Sequence, residues 1–342
     1  MPHLVTTSLR KIFHKIRNRL IHTGVACILT ASFAVPAHAD TKIILGTSWF
    51  AQAEQGGFYQ ALALGIYKKY GLDVTIKMGG PQVNGIQLLA GGVINLWTGY
   101  DFQTLKATEE GVPVVTVAAF FQKDPQAMIA HPGVETLAEL KGHTLYLASG
   151  SQTTFWPWLK NNYGLSDSQV RPYLFSVSPF LANPTSAQQG YVTSEPFAIE
   201  QAGIKPSVML LADYGYPPYS ATIVVMQKMV KDEPSVIQRF IEASSEGWKS
   251  YLANPAPGNK LIQKANPQMT SAQIAFSIAQ MKKFGIVTGG DAKTLGIGAM
   301  TNKRWAETDK VMVASGLLPA SFDYHEAYTL QFMKGLTLPG SP

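Results

Sequence analysis

The residues of this 342-residue chain that could do chemistry recur where its predicted strands end. The stretch WFAQAEQGGFY sets Trp49, Phe50, Glu54, Phe58 and Tyr59 around the pair Gly56–Gly57. Trp97, Tyr100 and Asp101 follow in LWTGYD, then Ser149, Gly150 and Ser151 in ASGS. Glu195 stands in TSEP, and Asp213, Tyr214 and Tyr216 stand in ADYGY. Trp and Tyr faces stack on a flat π-system and gain energy beyond simple burial. Carboxylates accept strong, charge-assisted bonds from amino groups or cationic ring nitrogens. Backbone N–H groups near Gly150 and Ser151, at a predicted helix start, could meet an acceptor atom. Together these types suit a flat polar ring. Each also has a plainer role. Asp101 can cap a helix, Glu54 can cap the helix from Gly57, Trp49 and Trp97 can be core, and Glu195 before Pro196 is an ordinary helix start. Their shared placement sets them apart, because open α/β sheets bind ligands beyond the carboxyl ends of their strands.

Catalytic patterns are weaker. Ser151 or Ser194 with His131 or His143 lacks a G-x-S-x-G elbow, and a serine and a histidine alone make no triad. Glu54 and Asp101 could be paired acids, but their spacing does not separate catalysis from binding. The glycine clusters match neither a dinucleotide nor a phosphate-loop pattern. No catalytic residue and no cofactor are assigned.

The first 39 residues read as a secretory signal. Arg10, Lys11, Lys15, Arg17 and Arg19 precede an apolar run, LIHTGVACILTASFAVP, and AHA ends it, predicting cleavage between Ala39 and Asp40 and a periplasmic destination. The run is short and broken by His22 and Thr23, which argues against a membrane span. Cys27 lies too deep in it to suggest a lipid anchor. Removing the signal leaves 23 basic against 22 acidic residues, so the sequence pI of about 9.1 belongs to the precursor. No clustered cationic footprint for nucleic acid remains. The rest has no cysteine and only His131, His143 and His325, so no metal site is assigned.

The elements that must position these residues alternate. TKIILGTSW reads as a strand, Gly57 to Lys69 as a helix, LDVTIKM as a strand, and PQVNGIQLLAGG as a short helix. VINLWTG, a helix from Asp101, and the apolar VPVVTVAAFF follow. This spacing predicts βαβ units around a mainly parallel sheet. HTLYLA, VRPYLFSV, GYVTS and VMLLA predict a second α/β unit, and SATIVVMQ a return strand. From Asp232 the chain reads as helical, with Ser271 or Thr270 as one cap and TLPGSP as a loose end. The expected organisation is a larger lobe from 40–128 and 220–320, a smaller lobe from 129–219, and a tail from 321–342.

WFAQAEQGGFY with GIYKKYGLDV, and TSEP at 193–196, resemble the solute-binding proteins related to thiamine-pyrimidine-precursor biosynthesis. The resemblance covers roughly residues 42–240. It implies a type II periplasmic binding protein: two Rossmann-like α/β lobes with a ligand cleft between them. It implies a monomer that delivers a small solute to an ABC permease and its ATPase. Relatives carry pyrimidine precursors, and more distant ones riboflavin, sulfonates, nitrate or aromatic compounds. By this resemblance Trp49, Glu54 and Tyr59 line the cleft from the larger lobe and Glu195 faces them. The superfamily also holds an enzyme with a lysine, a histidine and a cysteine-rich iron motif. Here Gly99 and Gln103 occupy the first two positions, which argues for a binder. A carrier of anionic sulfonates or aromatic acids, or a sensor, is the alternative reading. The expected closure hinges near residues 129 and 219.

Overall fold

A computed structural model describes residues 40–340; the predicted signal lies outside them. The apolar alternation of the first strand, β1 (Thr41–Gly46), pairs in parallel with β2 (Leu72–Lys77) and β3 (Leu96–Tyr100). β4 (Val114–Phe121) is buried along its whole length, as its continuous apolar run predicts. The chain then leaves this sheet and builds a second from β5 (Gln126–Ala130), β6 (Thr144–Leu147), β7 (Val170–Pro172), β8 (Ser186–Tyr191) and β9 (Ser207–Leu210). β10 (Ser220–Met226) returns to the first sheet, antiparallel to β3 and β4. The strand orders are β2-β1-β3-β10-β4 and β7-β6-β8-β5-β9. The chain thus crosses twice, between Phe121 and Gln126 and between Leu210 and Ser220.

Several elements differ from the sequence reading. β5 was not expected, because its short apolar run AMIA sits between polar flanks. It is nonetheless wholly buried, antiparallel between β8 and β9. β8 begins at Ser186, ahead of the expected GYVTS, since pairing on both sides outweighs the weak strand preference of SAQQ. VRPYLFSV supplies only the three-residue β7, and Leu174 and Phe175 beyond it are exposed. The helix expected from Gly57 to Lys69 is two, Gly56–Ala63 and Ile66–Lys69, broken where Gly65 takes φ +68°. A helix at Ala256–Ala265 joins the expected ones at Pro234–Ala253, Ser271–Phe284 and Asn302–Ala314. Thr270 is the cap, accepting from the Gln273 amide at 3.1 Å. The last described residues, expected to be loose, are tied to the core as far as Thr337. Phe332 is buried in the main core, and Thr337 donates to Ser245 Oγ at 2.8 Å and accepts from Ile297 at 3.0 Å.

The glycine pair has a packing reason. The helix Gly56–Ala63 lies against Pro234–Ala253, and a Cβ on Gly57 would sit 2.1 Å from the Trp248 ring. A Cβ on Gly247 would sit 2.5 Å from the Gly57 carbonyl. Trp248 and Phe58 meet edge to face at 5.8 Å inside this contact. The close approach fixes the 3-10 turn Ala53–Gln55 that precedes the helix and carries Glu54. Gly57→Ala is therefore expected to destabilise the protein by about 1–3 kcal/mol through overpacking, read as a lower denaturation midpoint with an unchanged slope.

Candidate ligand cleft

Where the ends of β1 and β3 face the end of β8 and the loop after β7, side chains of the two sheets meet directly. Glu54 is buried, and the Thr193 hydroxyl donates to its Oε1. Thr193 is itself held by Ser277, whose Oγ donates to its carbonyl at 2.7 Å. Burial pushes the Glu54 carboxyl up to about 7; the Thr193 bond pulls it back and nearby Glu195 raises it further. Glu195 opens the helix Glu195–Gln201 and accepts from the Tyr191 amide at 2.7 Å and the Tyr173 hydroxyl at 2.9 Å. Burial raises its pKa as well. A Cβ on Gly190 would lie 2.8 Å from Glu195 Oε2, so glycine keeps room for that carboxylate.

A second contact joins the hydroxyls of Tyr100, from the end of β3, and Tyr191, from the end of β8. Tyr100 also stacks on Phe102 at 5.1 Å. A third is aromatic: Trp49 meets Phe175 at 5.2 Å and Phe50 at 5.6 Å.

Asp124, in the first crossing, is a buried carboxylate near Tyr100 and Tyr191 that the sequence reading did not single out. It is buried, accepts from the Gln126 amide at 3.2 Å, and is pushed up to about 7 by burial and then by Asp101. Its charge helps hold Tyr100 and Tyr191 protonated, behind the larger effect of their burial. The available signal was an aspartate before proline between two strands, KDP, a turn former that also brings a carboxylate to the crossing. Tyr173 and Phe175 carried no such signal, whereas Thr193 opens the TSEP stretch of the resemblance but was not singled out. Glu54, Asp124 and Glu195 have no ion-pair partner among the described residues.

Other expected site residues take structural parts. Trp97 is buried in a cluster with Leu89, Ile94, Val114 and Val224, where a Cβ on Gly85 would sit 1.9 Å from its ring. Asp101 is the first helical residue rather than the cap, which is Tyr100. Its carboxylate accepts from the Phe102 and Tyr219 amides, both at 2.7 Å, and from Thr308 at 3.3 Å. It therefore braces the second crossing. Tyr59 is buried in the main core beside this region. Ser149 and Gly150 are exposed in the 3-10 turn Ser149–Thr153, and Ser151 is buried, donating to the Ala148 carbonyl at 2.8 Å. Tyr214 donates to the Glu135 carbonyl at 3.2 Å, and Tyr216 packs on Trp158 at 5.1 Å in the second core. Of the residues expected from sequence, the structure brings Trp49, Glu54, Tyr100 and Glu195 together.

Both crossings are anchored. Arg304 donates to the Pro217 carbonyl at 2.7 Å and the Gln122 carbonyl at 3.3 Å. The Tyr219 hydroxyl donates to Asp291 at 2.6 Å.

A family model described as NMT1/THI5 like matches residues 52–257. The riboflavin-binding protein RibY of Chloroflexus aurantiacus is 24% identical over 309 residues, covering 86% of each chain. A formylaminopyrimidine-binding protein of Halalkalibacterium halodurans is 24% identical over 251 residues, covering 69% of this chain and 76% of that one. The periplasmic aliphatic sulphonate binding protein SsuA from Escherichia coli superposes with a TM-score of 0.65 at 15% identity, over 83% of this chain and 91% of that one. The fold is that of the periplasmic binding proteins, as the resemblance implied.

The raised carboxyls make stability depend on pH. Glu54, Asp101 and Asp124 stand at about 7 in the folded chain, above the ordinary values of 4.5 and 3.8. The folded state therefore binds more protons between these values. Their contribution is full below pH about 4 and is lost as pH rises through about 7. The unfolding free energy of residues 40–342 should fall from pH 5 to pH 8, and Glu54→Gln should flatten that fall. Denaturation at a series of pH values checks both.

Proposed function

The chain belongs to the NMT1/THI5-like family, and we propose that it is the solute-binding component of an ABC importer. It captures a small planar nitrogen-bearing compound, such as a pyrimidine precursor of thiamine, by closing its two lobes. Binding without turnover, in the periplasm, and handover to a permease and its ATPase complete the reading. The observation that carries it is the set of buried carboxylates, Glu54, Asp124 and Glu195, drawn from both sides of the cleft and the crossing between them, with no ion-pair partner among the described residues. A ligand that brings N–H donors or a positive charge would satisfy them. An anionic sulfonate or carboxylate would add a further negative charge. Arg171 does not relieve this: it is exposed and bonds the Ser168 and Val170 carbonyls. The relatives named for riboflavin and formylaminopyrimidine point to ring compounds of the same kind.

The mechanism follows from the topology. The two crossings allow one sheet to swing against the other. Closure brings Glu54 to Thr193 and Tyr100 to Tyr191, the contacts described above. A ligand held between them ties the lobes together and stabilises the closed form that a permease would meet.

Thermal unfolding of residues 40–342 against aminopyrimidines, riboflavin, taurine and aromatic acids tests the proposal. A ligand at 100 times its Kd should stabilise the protein by about 2.7 kcal/mol. The expected outcome is a shift with an aminopyrimidine or riboflavin that is lost in Glu54→Ala. A shift with taurine or aromatic acids alone would reject the nitrogen-donor reading.

A further inference from the structure

Phe175 has a conformation and a position that folding alone does not explain. It lies in the loop after β7, is 55% exposed, and takes φ +58°, one of only two non-glycine residues with positive φ among those described. Glycine adopts this left-handed backbone freely, whereas a phenylalanine there is strained. Its neighbour Leu174 is 81% exposed, so the loop is not held by a buried side chain at that position. The strained backbone instead aims the Phe175 ring across the cleft at Trp49, 5.2 Å away and tilted by 47°. Its other neighbour is Tyr173, at 5.4 Å, whose hydroxyl donates to Glu195 at 2.9 Å. Trp49 belongs to the segment that also carries Glu54, and Glu54 and Glu195 repel one another. An aromatic pair drawn from the two sheets thus stands beside a carboxylate pair drawn from the same two sheets, linked on one side by Tyr173, which meets Phe175 and donates to Glu195.

We propose that Phe175 is a ligand-binding residue, and that the planar ring of the solute enters between Trp49 and Phe175 while its donor-bearing edge meets Glu54 and Glu195. This rests on the solute-binding reading above and narrows its ligand to a ring flat on both faces. Two aromatic rings in contact leave no slot between them, and a ring stacked on each requires their centroids to part to about 9 Å, twice the shortest usual stacking distance. Swinging of the lobes supplies that separation, because Trp49 and Phe175 move with different sheets. Closure then presses one ring on each face of the solute. A saturated or branched compound of the same polarity fits this slot poorly, so the pair selects for flatness as the carboxylates select for donors.

The test uses Phe175→Gly and Phe175→Tyr in the protein of residues 40–342, with riboflavin and 4-amino-2-methylpyrimidine as probes. Titration calorimetry gives affinity, flavin fluorescence reports stacking, and melting without probe reports folding. Phe175→Gly should melt no lower than the parent, since the strain is gone. It should bind the parent's preferred probe about ten-fold or more weakly. Phe175→Tyr should bind within about three-fold of the parent. Parent-like affinity in Phe175→Gly overturns the inference while leaving the carrier reading intact. So does weaker binding accompanied by a lower melting temperature, which marks Phe175 as a structural residue. A parent protein that binds neither ring but takes up taurine overturns the ring-carrier reading, and this inference with it.

Discussion

The structure turns on a carboxylate buried without a counter-charge. Glu54 is nearly inaccessible, and its own backbone and the Thr193 hydroxyl from across the cleft answer it. Burying an isolated anion is expensive, so such a group takes up a proton or finds a partner. Here both occur: the carboxyl is pushed up to about 7 and Thr193 reaches it across the cleft. The same acid that is awkward for folding is the one the proposed function uses for recognition. In the proposed carrier its partner would be exchanged as the lobes part, a ligand donor taking the place of Thr193 or a proton.

The rest of the molecule holds that carboxylate in place from behind. Glycines at 56, 57 and 247 let two helices approach closely enough to fix the turn that bears Glu54. Asp101, Arg304, Gln122 and Asp291 secure the crossings on the first-sheet side. Buried polar groups of this kind rigidify their surroundings when fully bonded. In the proposed carrier this would direct motion to the few residues of the crossings, each sheet keeping its own side of the cleft in register. Glu195, bonded to the Tyr191 amide and Tyr173, is secured likewise in the second lobe.

Much of this was legible in the chain. Strand and helix alternation up to Phe121 follows from period and glycine punctuation, and it leads to the observed first sheet. Trp49, Glu54 and Glu195 were legible by their position after strands and by resemblance. Trp97 and Asp101 satisfied the same positional rule and yet serve packing and bracing, because a strand end has two faces and only one looks into the cleft. Tyr214 and Tyr216 went astray similarly, in the second core rather than between the sheets. β5 was missed because a central strand of five residues needs little apolar signal once neighbours cover both its edges.

Sequence alone determined the local grammar: which segments extend, which coil, where glycine must stand, and that carboxylates and aromatics gather at strand ends. Those follow from interactions among residues close along the chain. The tertiary structure decided which of these meet. Glu54 and Thr193 are 139 residues apart, and Tyr100 and Tyr191 are 91 apart. Their pairing depends on two crossings that set one sheet facing another. So do the raised pKa of Glu54 and the partnership of Trp49 with Phe175, since burial and contact between the two sheets are properties of the assembled structure and of no single segment.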